Sequence, residues 1–381
     1  MDFEWAKEQR ELYEAIVGFA RKKLNLGDAE ARDARSEFSR EAWRLCAEQG
    51  LLGVNVEERF GGTGVDPLTG VYLMEALGYA ADDLGLAFSL AAHVYACTVP
   101  IQKFGTPAQK EAWLPKLVSG EWIACHSITE ADAGSDIFAM SMTATKIGEE
   151  YLLSGSKCFA TNAPVADVFL VHAVTDASKG FFGLTAFLVE RGTPGLTVGN
   201  AQSKIGLRTS PFGDLFFDEC RVPIANRVGS EGAGAPVFTA SMTWERTCLF
   251  AIYVGSMQRQ LEEAIAYAKG REQFGQPIGK FQAVSHRIVD MKLRLEAARL
   301  LLYKSAWKIA KGKEDRVDAG LAKLFISEAA VQSGLDIIQI HGGAGVLSGR
   351  IERYLRDAVP CRLFSGTNDI QRNNLAKALG L

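Results

Sequence analysis

No two of the seven cysteines, at positions 46, 97, 125, 158, 220, 248 and 361, form a C-x-x-C pair, and their number is odd. That spacing excludes a zinc ribbon and offers no disulfide framework, so each cysteine reads as a small apolar side chain in a reduced, cytoplasmic interior. Long hydrophobic runs are missing as well. The longest candidates, such as LFAIYVG at 249–255, fall far short of the ~18 consecutive apolar residues of a membrane span. The opening segment, MDFEWAKEQRELYEAIVGFARKK, is charged throughout and lacks the apolar core of a secretory signal. Neither sign of charge is in excess: 42 Lys and Arg face 45 Asp and Glu, a net charge of −3, which gives no electrostatic reason to expect nucleic acid. A full G-x-G-x-x-G is absent, although Gly-rich pieces occur at 61–64, 229–234 and 342–345, so the Rossmann route to a dinucleotide is not supported. Internal repeats and low-complexity segments are absent too.

What is present is a chain of 381 residues, 48% hydrophobic and 23% charged, the composition of a soluble globular protein with two or three packed units. Residues 1–121 read as helical, with Phe3, Trp5, Leu12, Ile16 and Phe19 at roughly helical spacing. Residues 122–232 change period: YLLSGSKCFAT, ADVFLVHAV, LTAFLVE and DLFFDECRVP are short, β-rich and bounded by turn formers. From 233 to 381 long helical patterns return, predicting helices over about 235–269, 282–311 and 314–340. Segregated helices and strands argue for an α+β fold rather than a doubly wound sheet.

Several short segments carry chemistry. In ITEADAGSD (128–136), small residues at 133–135 let backbone amides approach a ligand closely; alone it is a Gly-Ser loop. KCFATNAPVAD (157–167) is a half-buried strand by its alternation, and KIGLRTS with LFFDECRVP (204–223) reads as a structural strand pair whose Arg208 is a candidate for a substrate phosphate. GREQFGQPIGKFQ (270–282) lies between two long helices, and its Arg271 supplies a planar, permanently charged fork for phosphate. QIHGGAGV (339–346) and FSGTNDIQR (364–372) follow.

In this order and spacing, over essentially the whole chain, these segments resemble the acyl-CoA dehydrogenase family of flavoproteins. The resemblance implies an N-terminal helical domain, a central β-barrel-like domain and a C-terminal four-helix bundle, assembled as a homotetramer with FAD between the β domain and the bundle. Ile128, Thr129, Gly134 and Ser135 fall in the family's flavin loop, although Ala131 stands where proline is usual. Phe159 takes the place of a tryptophan that covers one flavin face, and Thr161 matches a hydroxyl near flavin N5. Arg271, Phe274 and Gln282 match the turn that clasps the FAD pyrophosphate and adenosine of a neighbouring subunit. Gln339, Gly342 and Gly343 complete that clasp, and Thr367 and Asp369 fall where the family touches flavin.

One departure matters more than the others. Most of the family carries its proton-abstracting glutamate at the residue before GTNDIQR, and here that residue is Ser365. A minority branch, including isovaleryl-type enzymes, places the base on a long C-terminal helix, directly before an arginine and with a glycine nine residues after that arginine. SMTWERTCLFAIYVG has that pattern in Glu245, Arg246 and Gly255. A helix-surface ion pair of Glu245 with Arg246 is the bland alternative. The resemblance implies that Glu245 removes an α-proton while the β-hydride goes to flavin N5, and that the backbone N–H of Ser365 polarises the thioester oxygen.

AAHVYAC, SMTWERTCLFA, QAVSHRIVDMKLRLEAARLLL and FSGTNDIQ are similar to flavoproteins that oxidise prolyl groups on peptidyl carrier proteins in pyrrole and pyrroline pathways. Trp244 and Arg246 are then substrate-side candidates, with His93 and Tyr253 either shaping the pocket or serving as core. A short branched acyl-CoA dehydrogenase, a flavin monooxygenase on the same scaffold and a flavin-free helical scaffold are the rival readings. The resemblance leaves open a flavoprotein partner or oxygen as electron acceptor, and one or two oxidations of the ring.

Overall fold

The structure is a computed structural model that describes residues 4–25 and 27–381. Phe3 lies outside the described residues. The N-terminal helices are α1 (Lys7–Phe19), α2 (Ala29–Arg35), α3 (Arg40–Glu48), α4 (Pro67–Ala80), α5 (Leu84–Ala92), α6 (Val99–Phe104) and α7 (Pro107–Val118). Their starts follow the sequence. Asp66 caps α4 by accepting from the Leu68 and Thr69 amides at 3.0 and 3.3 Å with Pro67 next. Thr106 and Gln109 close a reciprocal capping box on α7. Within α1 the expected periodicity is only partly used: Ile16 is buried but Leu12 is exposed.

Between α5 and α6 the chain stays helical, and Leu84–Phe104 is long and apolar enough by composition to cross a membrane. Polar Ser89, His93 and Thr98 interrupt that run, which is why no consecutive apolar stretch shows in the sequence. It is a core helix: 94% of its apolar window is buried. Two of its polar side chains are bonded nearby: His93 to the Leu117 carbonyl and the Ala124 amide, and Thr98 by donating to the Val94 carbonyl.

The central strands are β1 (Ala124–Ser127), β2 (Thr143–Ile147), β3 (Glu150–Thr161), β4 (Val168–Val174), β5 (Leu184–Glu190), β6 (Leu196–Val198), β7 (Phe212–Pro223) and β8 (Arg227–Val228). They form one mixed sheet ordered β6-β7-β3-β2-β4-β5-β8, with β1 parallel to β4. The strands β4 and β5 are buried on both faces along nearly their whole length, as continuous apolar runs require. The pairing of β3 with β7 slips between Lys157 and Ala160, leaving Cys158 and Phe159 out of register. That bulge places Phe159 at φ +55° and turns its ring outward.

The C-terminal part comprises α8 (Gly234–Trp244), α9 (Ala251–Gly270), α10 (Gln282–Ala310), α11 (Arg316–His341), α12 (Arg350–Ala358) and α13 (Asn368–Ala378). The helix expected over 235–269 is therefore two, joined by a π-helical turn at Glu245–Leu249. Such turns widen a helix locally and recur at functional sites.

Helices α4 and α9 cross with their backbones in contact. A Cβ on Gly255 would lie 2.0 Å from the Glu75 carbonyl oxygen, and one on Gly78 would lie 2.1 Å from that of Ile252. Neither neighbour is a side chain that can turn away. Gly255→Ala is expected to lower unfolding free energy by about 1–3 kcal/mol, the usual cost of overpacking, and an unchanged urea midpoint would refute this account of the crossing.

Candidate active site

Glu245 opens the π-helical turn and is 8% exposed. Its Oε1 accepts a hydrogen bond from the Ser365 hydroxyl, 120 residues away in sequence. The two places where the family carries its base thus converge on one spot, one holding the carboxylate and the other a hydroxyl that touches it. Burial raises the Glu245 carboxyl above its ordinary range, and the Ser365 hydrogen bond and the charges of Arg246 and Lys323 only partly oppose it.

The surrounding groups fix that contact. Arg246 Nε donates to the Ser365 carbonyl at 2.8 Å, and Gln371 Nε2 reaches the same oxygen at 3.2 Å. Ser365 sits at φ +56°, a strained setting for a non-glycine residue that these two donors hold in place. Arg246 is buried enough for desolvation to pull its pKa down to about 10. Its side chain is committed to the loop rather than to an ion pair on the helix surface. Lys323, fully buried, donates to Asn368 Oδ1 at 2.6 Å and to the Arg362 carbonyl at 3.2 Å. Thr367 caps α13 by accepting from the Ile370 amide at 3.2 Å, and the exposed Asp369 pairs with Arg372. Neither Lys323 nor Gln371 was named from the sequence: Lys323 lies in a stretch that reads as ordinary bundle helix, and Gln371 stands within FSGTNDIQR without an assigned role.

Trp244 packs beside this turn, its indole N–H donating to Glu314 Oε1 at 3.1 Å and Lys103 lying over its ring. His93 and Tyr253 are core: the Tyr253 hydroxyl donates to the Asp357 carbonyl, and burial pulls the His93 pKa down to about 3. Arg208 is a structural tie, donating to the Ala34 carbonyl and Ser36 hydroxyl.

A second group joins the loop after β1 to β3. The Cys158 amide donates to the Thr129 carbonyl at 2.9 Å, and the buried Lys157 bonds the Ile128 carbonyl and Glu130 Oε1. Glu130 also accepts from the Ser141 and Met142 amides. These bonds pin both ends of Ala131–Met140 and leave Gly134 and Ser135 exposed, with Thr161 half-buried at the end of the strand. Sequence reading passed over Glu130 and Lys157; an opposite-charge pair flanking a small-residue loop was the available signal.

A third group lies at the far end of α9. Tyr267 stacks on His341 with ring centroids 4.0 Å apart, which brings the Arg271 turn beside Gln339, Gly342 and Gly343. Arg271 has no ion-pair partner among the described residues, Phe274 is 93% exposed, and Gln282 and Gln339 are exposed. Among the described residues no hydrogen bond joins this group to the loop group. A free guanidinium with uncovered aromatics suits a planar, anionic cofactor, as does the outward Phe159 ring, so the residues present fit FAD.

The chain matches the Acyl-CoA dehydrogenase N-terminal, middle and C-terminal domains over residues 6–121, 125–220 and 232–380. It belongs to the acyl-CoA dehydrogenase family. Within that family it is 45% identical to an L-prolyl-[peptidyl-carrier protein] dehydrogenase of Serratia sp., covering 100% of this chain and 99% of the relative. Its fold superposes on the prolyl acyl carrier protein oxidase AnaB with a TM-score of 0.98 at 44% identity, covering 99% of this chain and 100% of AnaB. PigA with FAD and proline gives a TM-score of 0.97 at 45% identity, with both chains covered in full.

Proposed function

We propose that the chain catalyses FAD-dependent α,β-dehydrogenation of an L-prolyl group carried as a thioester on a peptidyl carrier protein, with Glu245 as the base. The observation that carries this reading is the buried Glu245 carboxylate bonded to Ser365, at the convergence of the family's two base positions. Glu245 takes the α-proton, and desolvation, which raises its pKa, makes it a stronger base than an exposed carboxylate. Bound FAD supplies the acceptor for the hydride that leaves the β-carbon. The Ser365 N–H has no acceptor among the described residues and is free to donate to the thioester oxygen. Arg246 and Gln371 hold the Ser365 carbonyl and so aim that N–H. The similarity to prolyl-carrier dehydrogenases over the full chain supports the acyl group.

In the same reading residues 1–121, 122–232 and 233–381 are the three units of a homotetramer. Two features support the assembly. Among the described residues no hydrogen bond joins the loop group to the Arg271 group, both implied in FAD binding. Val289, Leu293, Leu300 and Trp307 form an exposed apolar stripe along α10, at a spacing that keeps them on one face.

The test is anaerobic bleaching of the flavin by a prolyl-loaded carrier protein and, separately, by isovaleryl-CoA. Bleaching by the prolyl thioester alone is expected; bleaching by the CoA ester alone would return the chain to acyl-CoA chemistry. Ser365→Ala gives a finer check. The hydroxyl donates to the carboxylate and so favours its ionised form. Its removal is expected to shift the rising limb of the rate–pH curve to higher pH, with the plateau rate within a few-fold of wild type. An unmoved limb would mean that the hydroxyl does not act on the base.

A further inference from the structure

Beside the α8 turn that ends in Glu245 lies an open cleft of about 370 Å³. Thr239, Ala240 and Thr243 of α8 form its floor, two to six residues before Glu245. Phe181, from the turn between β4 and β5, lines it as well, as do Glu314 and Arg316 at the start of α11. Trp244, the residue before Glu245, donates to Glu314 of this cleft at 3.1 Å, so the cleft abuts the helical turn that carries the buried carboxylate.

The Phe181 wall continues onto the surface. Phe181 meets Phe182 with ring centroids 5.2 Å apart and Phe138 at 5.4 Å. All three are open to solvent, at 41%, 67% and 49% exposure for Phe181, Phe182 and Phe138. Three adjoining exposed phenylalanines are a costly feature on a free surface, and such patches mark interaction sites. Arg316, which lines the cleft, and Lys313, three residues before it in sequence, have no ion-pair partner among the described residues, whereas Lys103 is paired with Glu314.

We infer that Phe138, Phe181 and Phe182 are the docking patch for the carrier protein that delivers the substrate; this rests on the reading of the function given above. The carrier sets an apolar helix face on the three rings while its prosthetic arm enters the cleft, with Lys313 and Arg316 facing the arm's phosphate and the carrier's acidic residues. Ring geometry favours a protein face over a nucleotide. The planes meet at 40° and 78°, so no two rings are parallel to sandwich an adenine.

The experiment uses the FAD-loaded enzyme and a Phe138→Ala/Phe182→Ala variant, which changes the two rings of the patch that do not line the cleft. Anaerobic bleaching is followed against concentration for three thioesters: prolyl-carrier protein, prolyl-pantetheine and prolyl-CoA. The variant is expected to need at least tenfold more prolyl-carrier for half-maximal rate while its response to prolyl-pantetheine stays at wild type, which also shows that the fold and the flavin are intact. An unchanged requirement for the carrier would overturn the patch. Equal losses on carrier and pantetheine would assign the rings to the cleft itself and overturn docking. A loss confined to prolyl-CoA would make the patch a nucleotide seat. If wild-type enzyme is bleached by none of the three, the function reading fails, and docking with it; bleaching of wild type with an unaffected variant sinks docking alone.

Discussion

Glu245→Gln is expected to leave the protein yellow and to slow substrate-dependent bleaching by about 10²–10⁴-fold, the range a positioned general base contributes. Gln is isosteric, and its amide oxygen still accepts from the Ser365 hydroxyl, so the loop at Ser365 has no reason to move. Stability separates this from structural damage. The folded-state pKa of Glu245 is raised, so its contribution to stability is full below the unfolded value and is lost as pH rises through the folded value. Above that folded value a neutral residue there costs nothing that the carboxylate was providing. The melting temperature of Glu245→Gln is therefore expected to equal or exceed that of wild type. A slow variant with a lower melting temperature would point to lost structure, and a wild-type bleaching rate would place the base elsewhere.

Burial also raises two other carboxyls, Glu75, which Arg299 and Tyr303 hold by hydrogen bonds, and Asp357. Burial pushes Asp357 up to about 7. Its Oδ1 is bonded to the Leu207 amide, in the packing between α12 and the chain after β6, and it does not line the cleft. Asp357 is a structural acid, not a rival base.

Much of this site was legible because its parts are local in sequence. The order Trp244, Glu245, Arg246 and the glycine at 255 stand on one helical stretch, and Ser365 announces itself by breaking an otherwise retained motif. The strands were legible from their period, and β5 has the bounds its apolar run indicates. What was not legible is the contact between distant parts. Nothing in either segment says that Ser365 touches Glu245, and nothing in the helical pattern of 235–269 marks a π-helical turn, because widening a helix by one residue changes no residue type. Gly255 reads as a motif position, yet the structure shows that it is small because α4 presses its backbone there. Thr367 shows the reverse case: a residue expected at the cofactor is also the cap that starts α13.

Lys157→Met is expected to cost about 3–5 kcal/mol of stability, because it strands a buried carboxylate. Lys157 is wholly buried and its ammonium lies 2.7 Å from Glu130 Oε1, itself 7% exposed. Burial alone would favour the protonated carboxyl. Lys157 and the Ser141 and Met142 amides outweigh it and hold the Glu130 pKa below its ordinary value. Without the ammonium, the amides and the Ser141 hydroxyl remain, but no charge offsets the anion. The methionine stem fills the space and contacts Met140, so the loss is electrostatic rather than a cavity. Two controls follow from the sign of the shift. A depressed folded pKa gives stability above the unfolded value that is lost as pH falls through the folded one, so the gap between variant and wild type should narrow towards acid. Adding Glu130→Gln to Lys157→Met should recover part of the loss, since the amide oxygen still accepts and no charge is left buried. Because the pair pins the loop that presents Gly134 and Ser135, the single variant should also release flavin more readily. Urea unfolding checks the first three statements and flavin fluorescence the fourth; a double variant no more stable than the single would show that the charge is not what holds this loop.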